Sequence, residues 1–140
     1  MTVSSKRLFL ALSILCLCIM TNAMAEGMTP YANLVFESAR VSIGKSMDAD
    51  FSSGMHCNCT TIYVSSCTLE KKNANGTWSY ASSLTPPSET ATNTSDFGAY
   101  KDYSASCTSG NTYRIRATFA AVYKGITYTV NRTSNSVDYK

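Results

Sequence analysis

The sequence predicts an all-β protein, an antiparallel sandwich of about seven strands in one domain. Three observations predict it. After Pro30, apolar and polar residues alternate with a period of two along most of the chain, the spacing that sends successive side chains to opposite faces of a strand. Asn73-Ala-Asn-Gly76, Pro86-Pro87 and Lys124-Gly125 punctuate those runs at the intervals common in sandwiches. Strong helix formers are scarce beyond residue 25, where Leu occurs only at 34, 69 and 84 while Ser and Thr fill 32 of 115 positions. That mix suits strand faces better than helices.

The first 25 residues stand apart. Lys6 and Arg7 precede an apolar run, Leu8 to Met20, that is too short to span a bilayer, and Ala23-Met24-Ala25 supplies the small-x-small pattern read by signal peptidase. Residues 1–25 are therefore expected to be a helical signal peptide that is cleaved, and 26–140 a single secreted, extracellular domain. Leu15 and Leu17 precede Cys16 and Cys18 where a lipid-anchoring motif needs a small residue, and no second apolar stretch approaches membrane length. No stable membrane anchor is expected. Beyond the leader ten basic residues face nine acidic ones, a net charge of about +1. So neutral a surface argues against nucleic acid or an anionic membrane as main partner.

The strand pattern can be followed in order. Leu34, Phe36, Val41 and Ile43 predict one or two strand segments over 33–43, broken by Gly44. Met47 to Met55 is weaker, with Phe51 its only aromatic residue and Gly54 interrupting. From Thr61 to Lys72 the pattern strengthens through Ile62, Val64, Cys67 and Leu69, and its switch from even to odd positions at Ser65-Ser66 predicts a bulge where the strand changes partner. A hairpin turn follows at Asn73–Gly76. A loop of two or four residues there puts Trp78 and Tyr80 on the face of Cys67, Leu69 and Lys71, hence in the core. Pro86-Pro87 ends that strand because prolines supply no ladder donors, and an edge strand is expected near Ala91–Tyr100.

The last hairpin is the clearest. Tyr113, Ile115, Ala117, Phe119, Ala121 and Tyr123 alternate with Arg114, Arg116 and Thr118, and Ile126, Tyr128 and Val130 return after a two-residue turn at Lys124-Gly125. That register sets Tyr123 opposite Ile126, Ala121 opposite Tyr128 and Phe119 opposite Val130. One step on, Arg132 falls opposite Ala117, which requires a bulge or a solvated end to the face. No helix is expected after the leader.

Candidate sites are few. Cys57, Cys59, Cys67 and Cys107 allow three pairings, and disulfide is the default for cysteines in an exported chain. His56-Cys57-x-Cys59, with Met55 beside it, offers soft ligands for Cu(I) or Zn(II), but it lacks the second ligand pair that a specific zinc site shows. Asp48-Ala-Asp50 could present two carboxylates on one face for calcium or acid–base work, although a solvated strand end is the simpler reading. His56 is the sole histidine, and no phosphate loop, metalloprotease helix or nucleophile elbow occurs. No enzyme activity, catalytic residue, metal or cofactor is expected.

Trp78 and Tyr80 could alternatively form a sugar-stacking platform. Tyr100 and Tyr103, in a polar region, are candidates for exposed contacts, and Arg114, Arg116 and Lys124 line the outward side of the last hairpin. Asn58, Asn75, Asn93 and Asn131 begin Asn-x-Ser/Thr sequons, which carry meaning only in a eukaryotic secretory pathway.

Cys107-Thr-Ser-Gly-Asn-Thr-Tyr113-Arg-Ile115-Arg-Ala117 resembles the penultimate strand of immunoglobulin-like and fibronectin type III-like sandwiches, where Gly-x-x-Tyr precedes alternating core residues and the Tyr often forms a corner. Together with Cys67-Thr-Leu-Glu-Lys-Lys, Gly76-Thr-Trp78-Ser-Tyr80 and Ser83-Leu-Thr-Pro-Pro-Ser88, it looks like a family of small secreted Gram-positive bacterial proteins of unknown function, over roughly residues 29–137. The resemblance implies an immunoglobulin-like fold, an extracellular location and a Cys67–Cys107 pair, with Cys57 and Cys59 as an addition outside the pattern and a possible second pair. Closing that loop of about 40 residues is worth roughly 4 kcal/mol in the chain-entropy model.

The expected function is that of a secreted, monomeric, non-catalytic module that binds an extracellular protein or glycan, with loops at one end as the contact surface. Two other readings compete. One is a small disulfide-stapled inhibitor or antimicrobial effector. The other is a thiol- or metal-binding protein using His56, Cys57 and Cys59.

Overall fold

Among the described residues seven antiparallel strands form the fold: β1 (Phe36–Ile43), β2 (Asp48–Lys72), β3 (Trp78–Leu84), β4 (Thr90–Asp102), β5 (Asn111–Tyr123), β6 (Ile126–Thr133) and β7 (Val137–Tyr139). The computed structural model describes Thr29 and residues 31–140. The expected signal peptide and its helix lie outside the described residues. Within them the only helical pieces are two 3₁₀ turns, Ala32–Leu34 and Ser104–Ser106, and no helix is long and apolar enough to cross a membrane.

β2 is the spine. Its 25 residues run through both halves of the fold. The first half, Asp48–Gly54, lies between β1 and β4. The second half pairs with β5 from Thr61 to Lys71 and with β3 from Cys67 to Lys72. β5 then carries β6 and β7 on its other edge. The bulge expected at Ser65-Ser66 is present: the β5 register slips between Val64 and Ser66. β2 also changes partner there, since the β4 ladder ends at Tyr63–Thr90 and the β3 ladder begins at Cys67–Leu84.

The halves meet through aromatic side chains. Phe51 of β2 and Phe97 of β4 lie against Phe119 of β5, with ring centroids 6.3 and 6.5 Å apart, in the tilted and edge-on arrangements that ring quadrupoles favour. Ile62, Leu69, Ile115 and Val130 complete the fully buried centre. The rim is tied by polar contacts. Asn135, after β6, bonds the Ile43 N–H at 2.9 Å and the Ile43 carbonyl at 2.8 Å, and Arg132 Nε donates to the Ala39 carbonyl at 3.1 Å.

The last hairpin has the register its sequence predicts, Tyr123–Ile126, Ala121–Tyr128 and Phe119–Val130. Lys124 and Gly125 both have positive φ, 51° and 77°, which matches the right-handed twist of the flanking strands. Arg132 does fall opposite Ala117, without a bulge. Its long side chain resolves the conflict by reaching the β1 carbonyl. The expected edge strand at Ala91–Tyr100 is β4, slightly longer at each end.

The first hairpin departs from expectation. Asn73 N–H donates to the Thr77 carbonyl, and Gly76, at φ 83°, closes a three-residue loop over 74–76. An odd loop length inverts the parity, so Lys72 faces Trp78 and Glu70 faces Tyr80. Both aromatic residues therefore stand on the outward face, Tyr80 at 66% exposure. A bulge at Ala81 restores the phase, and Leu84 returns to the core opposite Cys67. Leu34 also differs: it sits in the first 3₁₀ turn, 65% exposed, while Ala32 takes the buried position.

Candidate functional site

The outward side of β3, β2, β5 and β6 gathers the residues best suited to bind something. Even-numbered β2 residues, Ser66 to Lys72, align across it with Trp78 and Tyr80 on one side and with Arg114, Arg116 and Thr118 on the other. The arginines are held. Arg114 Nε donates to Glu70 Oε2 at 2.6 Å, and Arg116 Nη1 lies 3.5 Å from Glu70 Oε1. The Arg114 guanidinium also stacks on Trp78, 4.3 Å from the ring centroid, a contact in which the aromatic face attracts the cation. One carboxylate thus fixes two guanidinium groups beside a flat indole.

Next to this group lies a shallow groove of about 130 Å³ lined by Ser66, Thr68, Arg116, Thr118 and Asn131. Its polar groups form a chain, with Ser66 Oγ donating to Thr118 Oγ1 at 2.9 Å and Thr118 Oγ1 to Asn131 Oδ1 at 2.8 Å. Planar aromatic, guanidinium, hydroxyl and amide groups therefore share one side of the sheet. Lys124 stays apart, its ammonium 5.2 Å over the Tyr123 ring at the hairpin tip. Arg114 and Arg116 were legible in the sequence as outward residues; the meeting of Arg114 with Trp78 was not, because it depends on the length of the Asn73–Thr77 loop.

The other sequence candidates are scattered. Asp48 and Asp50 do point to one face, where Tyr100 O–H donates to Asp48 Oδ1 at 2.6 Å and Ser46 bonds the same carboxylate. Those two bonds hold Asp48 below the usual carboxylate range. The bond to Asp48 first, and then the nearby Asp102 and Asp50 charges, push Tyr100 up to about 12. A raised folded value means that this contact is complete below the ordinary tyrosine range and is lost as pH rises through about 12. The Asp48 side behaves oppositely, full above pH 4 or so and lost as acid protonates the carboxylate. In an absorbance titration, Asp48→Asn is therefore expected to bring the latest-ionising exposed tyrosine down toward 10; an unchanged titration would mean that Asp48 does not hold Tyr100.

Tyr103 was expected to be exposed and is instead buried, at 4% exposure, with its hydroxyl donating to the Thr85 carbonyl at 2.9 Å. Pro86 and Pro87 end the β3 ladder, and the Thr85 carbonyl just beyond it is satisfied by this side-chain donor. All four described cysteines are thiols, so the Cys67–Cys107 bridge is not formed in this structure. Cys67 lies beside the Tyr103 hydroxyl, and burial pushes its thiol up to about 11. Cys107 follows the 3₁₀ turn that Tyr103 precedes. Burial raises it to about 11 as well.

His56 is exposed on β2, and among the described residues no three His, Cys, Asp or Glu side chains converge on a point a metal could occupy. Neighbouring strand residues face opposite ways, which separates His56 from Cys57 and Cys59. Asn58, Asn75 and Asn93 are exposed, and Asn131 sits in the groove. Comparison with known protein families, curated proteins and solved structures finds no match to this chain.

Proposed function

We propose that the protein is a secreted, monomeric, non-catalytic module of the immunoglobulin-like class that binds a glycan at the cell exterior through the outward face of β3, β2, β5 and β6. The fold assignment is supported by pairing. β1 and β4 flank the first half of β2, while β3, β5 and β6 join its second half; β4 runs on past the break in its register to Tyr63, so all seven strands stay hydrogen-bonded in one sheet. Such division of neighbours is that of a two-sheet sandwich in which the usual turn between two strands is replaced by continuous β2. Further support comes from Tyr113 near the start of β5, whose hydroxyl accepts from the Thr108 N–H, five residues upstream, at 3.1 Å. That is the corner contact expected of such a strand. The secreted reading rests on the leader and on the resemblance to small Gram-positive exported proteins, and the Cys67–Cys107 pair belongs with it.

The observation that carries the binding reading is the placement of Trp78 and Tyr80. Tyr80, 66% exposed, gains little from folding there, and half-buried Trp78 stands near it on the same outward face. They fit a flat pyranose ring, with Arg114, Arg116 and the Ser66–Thr118–Asn131 groove as donors and acceptors for its hydroxyls. Retention of the purified chain on a glycan array and on immobilised cell-wall polysaccharide tests this. Trp78→Ala and Tyr80→Ala are each expected to weaken retention about tenfold, a loss of about 1.4 kcal/mol. Tyr80→Ala is expected to leave folding stability within about 0.5 kcal/mol. No retained glycan, or retention indifferent to both substitutions, would refute the proposal.

A further inference from the structure

We infer that Cys57 and Cys59 form a redox-active dithiol that exchanges with small external disulfides, making and breaking a Cys57–Cys59 bond in the middle of β2. This site is independent of the binding face. Same-side neighbours in a regular strand stand roughly 6.6 Å apart, whereas a disulfide needs Cβ atoms about 3.8 Å apart. A Cys-x-Cys pair can close only where the backbone contracts, and contraction inside a sheet breaks ladder bonds.

Here the ladder is already interrupted. The β1 register ends at Met55, the β4 register skips from Gly54 to Cys59, and β5 joins only at Thr61. Among the described residues Cys57 and Asn58 thus have no strand partner on either edge. Cys59 is folded back toward Cys57: its Sγ lies 3.7 Å from the Cys57 carbonyl oxygen, and its thiol is beside the Cys57 thiol.

The two thiols have different access. Cys57 is half-buried, while Cys59 is fully enclosed in the core. An external disulfide can reach only Cys57. The Cys57 thiolate, its proton lost to solvent, attacks one sulfur of the external disulfide; the S–S bond breaks and one external thiol leaves with a proton. Cys59, deprotonated in turn, attacks the Cys57 sulfur and expels the second external thiol. Two protein thiols are oxidised to one disulfide as one external disulfide is reduced to two thiols. Burial first, and then the neighbouring Cys57, push Cys59 up to about 11, so the second step is slow at neutral pH and quickens as pH rises.

The test equilibrates the purified chain in graded ratios of reduced to oxidised glutathione, quenches with acid, alkylates, and cleaves after Phe51 and Tyr63 to separate Cys67. The expected result is a two-hydrogen mass loss in the peptide holding Cys57 and Cys59, whether or not Cys67 pairs with Cys107 in the same mixture. Cys59→Ser is expected to trap glutathione on Cys57, and the milder surface change Cys57→Ser to leave Cys59 unreacted. A bond from either residue to Cys67 or Cys107, full alkylation of both at the most oxidising ratio, or glutathione on Cys59 in Cys57→Ser would overturn the inference.

Discussion

Phe119→Ala is expected to destabilise the protein by about 3–5 kcal/mol. Phe119 has no solvent exposure and touches Phe51 from the first half of β2 and Phe97 from β4. Truncation removes the transfer energy of the ring and leaves a void bordered by two other rings that are anchored in separate strands. Those strands cannot collapse onto it without breaking ladder bonds at Phe51–Ala99 and Ser53–Phe97, so the cavity term stays high. Domains of this size hold roughly 5–15 kcal/mol in all, so the variant is expected to lose about a fifth or more of its stability. Urea unfolding followed by tyrosine and tryptophan fluorescence reads it as a fall in midpoint. A loss below about 1 kcal/mol, the range of a surface change, would mean that Phe119 is not packed between the halves.

How much of this was legible depended on loop length more than on composition. At Lys124-Gly125 the flanking alternation leaves one workable loop, two residues long with positive φ at both, and the register followed without error. At Asn73–Gly76 the same dipeptide chemistry is compatible with loops of two, three or four residues. Odd and even lengths place Trp78 on opposite faces, and only the Asn73–Thr77 backbone bond decides between them. The compensating bulge at Ala81 has no compositional signature, since Ser79 to Ser83 carries no clear alternation for a one-residue slip to disturb. The sequence separates Met47–Met55 from Thr61–Lys72, with Gly54 interrupting, and the β4 register does break between Gly54 and Cys59. What it did not reveal is that one strand, β2, runs through both segments, with Phe51, Met55 and Cys59 all buried odd positions along it. Tyr103 was read as exposed because its neighbours are polar; the Thr85 carbonyl that draws it inward is 18 residues away. The candidate face was therefore present in the sequence as separate residues, and its assembly was a matter of register.

Tyr113 should show two effects that differ in size and cause. Tyr113→Phe removes only the hydroxyl that accepts from the Thr108 N–H at 3.1 Å. The amide of exposed Thr108 loses a protein partner that water can replace, at a net cost of about 0.5–1.5 kcal/mol. Tyr113→Ala also empties a buried ring position opposite Lys71, and is expected to cost about 3–5 kcal/mol. The hydroxyl matters beyond its own bond because of where it acts. Residues 103–110 carry the chain from β4, in one half, to β5, in the other. Apart from the internal bonds of the 3₁₀ turn, that crossing is held by Tyr103 N–H on the Met47 carbonyl, the Tyr103 hydroxyl on Thr85, Ser104 N–H on Asp102, Tyr113 and Asn111 on Thr108, and Gly110 N–H on the Tyr139 carbonyl at 2.7 Å. Losing the Tyr113 tether should loosen the crossing before the sheet itself opens, because the β5–β6 and β2–β5 ladders do not pass through it. Amide exchange in Tyr113→Phe should accordingly quicken at Thr108 and its neighbours while amides of Phe119 and Val130 keep their protection, apart from any global loss of stability. Equal acceleration everywhere would show that the crossing and the core open as one unit. No change at Thr108 would show that water replaces the hydroxyl at no cost.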